Sequence, residues 1–374
     1  MKLFLRYLVL EALLVLLLMV NACQNNGGAP QETPPPFDRV AMLDNILKTV
    51  IRPEHAAFHQ QAEALESTIE AFTAAPSAAT LEAAQSQWAA AFLSWKRCEL
   101  FNMGPAKEQF IHSQISSLPT QKTFITNFIT GDEPIDEAFV ASKGATSKGL
   151  PAIEWLLFDP SANNAAVVDS FTVSAYATPR KAYLNALCAF LHTSAERLSS
   201  IWMDDQGYSA TFLKATDNAN LEGSFSLLVN SLVGNVEGAF QKKLGKPMGK
   251  SLDNTPQPEL LESPYGHQSL QAIRKNLEVA ELLYLGNEGA GLEEYLVSMD
   301  AEAGGKLDAA IKSKFAVAYQ ALDGLSPSLY QAIHQQPNET EAAYEALRDM
   351  VVLIKVDLVN QFGVTMTFND NDGD

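Results

Sequence analysis

Two stretches of the chain carry residues whose types and spacing could do chemistry. The first is Gly149-Leu150-Pro151-Ala152-Ile153-Glu154-Trp155-Leu156-Leu157-Phe158, a strongly apolar run with one acid. Leu150 precedes a proline and is pushed toward extended backbone. Pro151 suits the first position of a helix, where its missing N–H is no loss. Glu154 then falls about one turn in, with Leu150, Pro151, Leu157 and Phe158 as its helical neighbours. A carboxylate in such surroundings has to be ion-paired, hydrogen-bonded or protonated. The competing reading is a partly exposed acid that the helix dipole favours. Arg97 and Arg274 are the candidate counter-ions for Glu99 and Glu154, since a charge-assisted pair would satisfy a buried acid.

The second stretch is His55, His59 and Glu63, spaced by four and therefore on one face of a helix. That spacing can hold zinc or iron. Histidines on a solvated helix face are commoner, and no near-stoichiometric metal is expected there. His112, His192, His267 and His334 are scattered and read as structural or surface residues. There is no His-Glu-x-x-His run and no Gly-x-Ser-x-Gly elbow. Asn369-Asp370-Asn371-Asp372-Gly373-Asp374 looks like the opening of a calcium loop, but the later glutamate and the following helix are missing. Trp88, Trp95, Trp155 and Phe158 could line a pocket, although aromatics at helical spacing more often form plain core.

The elements that must position these residues read as helices. Val40, Leu43, Ile46, Leu47 and Val50 make one apolar stripe, which Pro53 should break or kink. Further helices are expected over 54–75, 81–102, 106–117, 120–129 and 134–142, with the Gly149 helix closing the first half at 158–160. A second half follows, with helices over 178–204, 220–244, 263–284, 302–323 and 338–361. Gly149-Leu150 and Gly291-Leu292 each precede a short helix, a faint sign of duplication. Few β-branched runs interrupt this pattern, so the fold class is all-α.

The 374 residues are 47% hydrophobic with a net charge of −18, enough apolar material for a large core and the wrong sign for nucleic acid. Lys2 and Arg6 precede an apolar run from Leu8 to Val20 that only Glu11 interrupts. This reads as an export signal over 1–22. Val20-Asn21-Ala22-Cys23 resembles a bacterial lipoprotein cleavage site, which predicts cleavage before Cys23 and its acylation; an ordinary secretory signal is the competing reading. Gln24 follows, with no aspartate to retain the product at the inner membrane, so a lipid anchor in the outer membrane is expected. Residues 23–36 form a Gly-, Asn- and Pro-rich tether. Cys98 and Cys188 remain and are expected to be buried free thiols.

The 149–158 run also resembles the signature of the imelysin-like family of bacterial envelope proteins, Gly-x-His-x-x-Glu. Gly149 and Glu154 match it, and Pro151 stands where the histidine would be. Trp95, Glu99, Phe101, Gly104 and Pro105 resemble a second block, Lys246-Pro247-Met248-Gly249 a third, and Glu262-Ser263-Pro264-Tyr265 with Ser269 and Asn276 a fourth. Gly363-Val364 and the tail resemble the family's ending. The resemblance covers about 37–374. It implies two helical-bundle halves, about 37–160 and 176–374, packed around a central cleft. It implies a binding or accessory role in iron or haem acquisition, with Gly149, Pro151, Glu154, Trp95, Glu99, Ser263 and Ser269 near the ligand; Arg97 and Arg274 join this candidate site as the cations offered to its acids. Histidine and glutamate three residues apart can reach one metal; proline has no imidazole, so a metal at this motif and the family's peptidase label are both weakened here. Three readings stay open: a lipid-anchored module binding a small molecule, iron or haem; a metal-dependent peptidase; and a scaffold for another envelope protein. No cofactor is required by the sequence, though iron or another divalent metal is compatible with it.

Overall fold

Apolar residues recurring every three or four positions make the long helices amphipathic, and burying those stripes against one another builds the protein. The computed structural model describes residues 36–161, 163–214 and 220–367. The export signal, Cys23, most of the tether and the acidic ending lie outside the described residues. In chain order the helices are α1 (Arg39–Ile46), α2 (Arg52–Ala74), α3 (Ala78–Cys98), α4 (Pro105–Glu108), α5 (Ile111–Ile115), α6 (Lys122–Thr130), α7 (Glu137–Ala141), α8 (Gly149–Leu157), α9 (Asn164–Thr172) and α10 (Ala177–Met203). They continue as α11 (Tyr208–Lys214), α12 (Ser224–Glu237), α13 (Ser269–Leu285), α14 (Leu292–Met299), α15 (Ala303–Asp323), α16 (Leu329–Gln335), α17 (Pro337–Val352) and α18 (Val359–Phe362). Among the described residues there is no strand, and no helix is long and apolar enough to cross a membrane.

The core is organised by α2, which packs along both α3 and α10. Phe58, Ala62, Leu65, Ile69 and Phe72 of α2 meet Leu81, Ala84, Trp88, Trp95 and Cys98 of α3, all buried. Tyr183, Leu187, Leu191, Ala195 and Leu198 of α10 belong to the same cluster. A helix assigned by chain order to a second half is thus part of the first core, and residues from Asp38 onward form one unit. The two Gly-Leu turns also differ. Gly149 takes a φ of +73°, whereas Gly291 is extended and its N–H donates to Glu294.

Pro53 does not break the first helix as its ring chemistry predicts. A wider π-helical turn over Leu47–Ile51 joins α1 to α2, and the Arg52 N–H reaches back to the Leu47 carbonyl. Pro53 therefore enters at the first turn of α2, where it lacks no required donor. Similar π turns extend α12 over Gly238–Gly245 and join α17 to α18 over Leu353–Leu358. The helix expected to begin near residue 263 instead begins at Ser269. Residues 261–268 are left as a turn, and that turn builds the site.

Candidate functional site

Gly149 opens α8 in a conformation that only glycine adopts without strain, and a Cβ there would overlap the Gln114 and Ile115 carbonyls. This close approach aims the first turn of α8 at the 261–268 turn. Glu154, one turn further on, is buried. Its Oε1 accepts the Ser263 hydroxyl at 2.8 Å, the Tyr265 N–H at 3.1 Å and the Gly266 N–H at 2.7 Å. Ser263 is itself fixed. Its N–H donates to the Ser269 hydroxyl at 2.9 Å, and its oxygen accepts the Gln268 N–H at 3.1 Å. Trp88 braces the arrangement from below. Its indole N–H donates to the Leu150 carbonyl at 2.9 Å, and its ring fills the space a side chain at Gly266 would need. Burial raises the Glu154 carboxyl to about 7 against the three donors, which favour its ionised form.

Beside this turn lies a second polar assembly. The Lys96 ammonium is fully buried and binds Glu99 Oε1 at 2.5 Å and Glu262 Oε1 at 2.6 Å. Lys243 binds Glu99 Oε2 at 2.6 Å, Asn276 Oδ1 at 2.7 Å and Glu262 Oε2 at 3.3 Å. Asn276 donates in turn to the Lys96 carbonyl at 2.7 Å. Two cations and two anions thus alternate in a closed ring of charge. Despite burial, Lys243 and Lys96 hold the Glu99 carboxyl well below the usual carboxylate range. Lys243 is held above its ordinary value by Glu262 and Glu99, again against burial. Glu99 and Lys243 keep 21% and 15% of their side chains open to solvent, so the ring has one accessible side.

Of the residues expected near a ligand, Gly149, Pro151, Glu154, Ser263 and Ser269 come together, and Glu99 lies in the neighbouring ring of charge. The expected counter-ions are corrected. Arg97 clamps Glu54 through Nε and Nη2, at 2.7 and 2.5 Å, and reaches Glu278. Arg274 pairs with Asp323 and Glu278. Glu99 uses lysines instead, and Glu154 uses neutral donors. Trp95 is core, packed on Phe58 and His112. Lys96, Lys243 and Gly266 have no part in the sequence reading, and Glu262 enters it only as a member of the fourth resembling block. The signal for Lys96 was its place on the Trp88–Phe92 stripe, where a solvated lysine does not belong; its ammonium sits 4.5 Å over the Phe92 ring.

His55, His59 and Glu63 do not form a metal triad. His55 turns inward, its Nδ1 on the Ile51 carbonyl at 2.7 Å and its ring against Phe101 and Trp202. Burial lowers it to about 4. His59 turns to His192 on α10, and Glu63 is exposed. Among the described residues no three His, Cys, Asp or Glu side chains converge to hold an ion. Cys98 and Cys188 are buried free thiols, as expected.

This all-helical frame, with its glycine-opened α8 and clamped glutamate, belongs to the imelysin family, whose sequence model (peptidase M75) matches residues 51–354. Among individual proteins, the chain is 24% identical over 319 residues to iron-regulated protein A of Synechococcus elongatus, covering 83% of this chain and 80% of that one. An imelysin-like protein of Psychrobacter arcticum has the same fold, with a TM-score of 0.72 at 17% identity, covering 88% of this chain and 96% of that one. So does a Parabacteroides distasonis protein assigned by name to the iron-regulated protein A precursors, with a TM-score of 0.70 at 17% identity over 89% of this chain and 97% of that one.

Proposed function

We propose that this protein is a lipid-anchored envelope component that acts as a non-catalytic binding or accessory module in iron or haem acquisition. Its ligand would meet the open side of the Glu99–Lys243 pair and the 262–266 turn beside it. Membership of the imelysin family and similarity to a protein named for iron regulation support the iron connection. The observation that carries the non-catalytic part is the commitment of the carboxylates. Glu154 Oε1 already holds three donors, and Glu99 and Glu262 are closed on Lys96 and Lys243. A metallopeptidase needs three protein ligands and an open position on its ion. Pro151 offers no ligand atom, so the residues present do not fit a metal at this motif.

The test is genetic. Deleting the gene in the organism that encodes it should slow growth under iron chelation and lower cellular iron, and the wild-type gene should restore both. Cys23→Ala should fail to restore them and should leave the protein uncleaved or released from the membrane. A deletion strain that grows and accumulates iron like its parent would overturn the reading. Restoration by Cys23→Ala, with normal partition into the membrane, would overturn the anchor.

A further inference from the structure

His59 and His192 stand on α2 and α10, two helices packed along one another. Nε2 of His59 lies 3.2 Å from Nε2 of His192, while the ring centroids are 5.2 Å apart. The rings therefore approach one another by these two nitrogens. Behind His192, its Nδ1 lies 2.6 Å from Oε2 of Glu66, which sits two turns beyond His59 on α2. A carboxylate in that place holds the proton on Nδ1, so neutral His192 turns a bare Nε2 lone pair toward His59. His192 and Glu66 each keep 27% of their side chains open, so water reaches the cluster.

We propose that His59 and His192 form a two-histidine site for a divalent first-row transition metal ion of the zinc and copper class. Glu66 positions His192, and water completes the coordination. The spacing fits: two imidazole nitrogens about 2.05 Å from one ion subtend about 100° when they stand 3.2 Å apart, close to a tetrahedral angle. Without an ion, the His59 Nε2–H donates to the His192 lone pair. With an ion, His59 carries its proton on Nδ1 instead, and both rings remain neutral. Imidazole suits this class of ion, whereas calcium and magnesium prefer oxygen ligands. A net charge of −18, with Glu63 exposed one turn from His59, favours a cation at the surface. The ion would join α2 to α10, and because the two histidines meet only in the folded chain, binding would stabilise it. This inference does not rest on the function proposed above, since neither histidine touches Glu154 or the ring of charge.

The experiment is calorimetric titration of the untagged protein with zinc chloride and with copper chloride at pH 7.5, beside thermal melts with and without metal. The expected result is one saturable site for each ion and a Tm that rises with metal and returns with chelator. His59→Ala and His192→Ala should each weaken binding at least tenfold. Glu66→Gln should weaken it about tenfold, the usual loss when a ligand's orienting carboxylate is removed. His334→Ala, a change at an exposed histidine elsewhere, should change nothing. Circular dichroism checks the variants' fold, and His192→Gln keeps the test open if the alanine variant misfolds. Absence of saturable binding in the wild type, or undiminished binding in either histidine variant, would overturn the proposal.

Discussion

The Glu154 carboxylate accepts the Ser263 hydroxyl at 2.8 Å across a sequence separation of 109 residues. Together with the Tyr265 and Gly266 amides, this contact fastens the start of α8 to the 261–268 turn. Its removal separates a positioning role from a bland surface acid. Glu154→Ala leaves three donors in a buried space without an acceptor and should cost about 3 kcal/mol in urea unfolding. Glu154→Gln keeps an acceptor oxygen and should cost about 1 kcal/mol or less. Equal and negligible effects of both changes would show that the contact does not hold the turn.

The same carboxyl makes stability depend on pH. Its folded value of about 7 lies above its ordinary value of 4.5. The folded state therefore binds the proton more tightly than the unfolded chain, so stability falls as pH rises from about 4.5 to about 7 and is level above that. The difference between wild type and Glu154→Gln isolates this one group from the rest of the protein. That difference should change by about 3 kcal/mol across the window. A flat difference curve would mean that the donors outweigh burial and keep the carboxylate ionised.

Gly149 predicts a sharper contrast. With φ at +73° and the Gln114 and Ile115 carbonyls where a Cβ would stand, Gly149→Ala should cost at least about 3 kcal/mol or abolish folding. Gly144 has open space around it and an ordinary negative φ, so Gly144→Ala should stay within about 0.5 kcal/mol of wild type. Chemical denaturation of the two variants measures both.

What the sequence made legible is what local pattern controls. The three- and four-residue spacing of Leu43, Ile46, Leu47 and Val50 announces a helix and names its buried face. Gly149, Pro151 and Glu154 mark a helix start with an acid amid apolar groups, and that acid is buried. The partners were not legible, because tertiary packing chooses them. Lys96 stands on the Trp88–Phe92 stripe, which marks it for burial, but nothing local names Glu262, 166 residues away, as its partner. Pro53 reads as a break because its ring removes a donor. A π turn, which no local pattern marks, absorbs it. The two arginines offered to Glu99 and Glu154 were plausible by charge alone, but charge carries no distance.

The buried ring of charge predicts a coupled response. Lys96→Met removes the cation shared by Glu99 and Glu262 and should destabilise the protein by about 3–5 kcal/mol, the loss typical when one partner of a buried pair is removed. Adding Glu262→Gln to it removes one of the stranded anions. The double variant should therefore lose less than the sum of the two single losses, by at least about 1 kcal/mol in a double-mutant cycle. Additive losses would mean that the two side chains are not interacting in solution. Because Glu99 is held below its ordinary range, its share of stability is present above about pH 4.5 and is lost as pH falls below that. Lys96→Met should therefore shift the acid unfolding midpoint upward.

Pro151→His restores the residue that the family signature places three positions before Glu154, and it tests whether that signature alone makes a metal site. On a helix the new imidazole and Glu154 share a face, which is the arrangement that carries metal in di-iron bundles. Here, however, Pro151 lies buried in the first turn of α8. Glu154 Oε1 is already occupied by Ser263, Tyr265 and Gly266. A metal would have to draw the carboxylate away from three donors and leave them buried without an acceptor, against a gain of one imidazole ligand. The larger ring in a packed position should itself cost about 1–3 kcal/mol. The substitution is therefore expected to lower stability without creating a tight site. Zinc titration in a background carrying His59→Ala and His192→Ala removes the surface pair from the measurement. A new one-to-one site in that background, lost again on adding Glu154→Gln, would show that the carboxylate can leave its donors and that this helix start is a metal site awaiting its histidine.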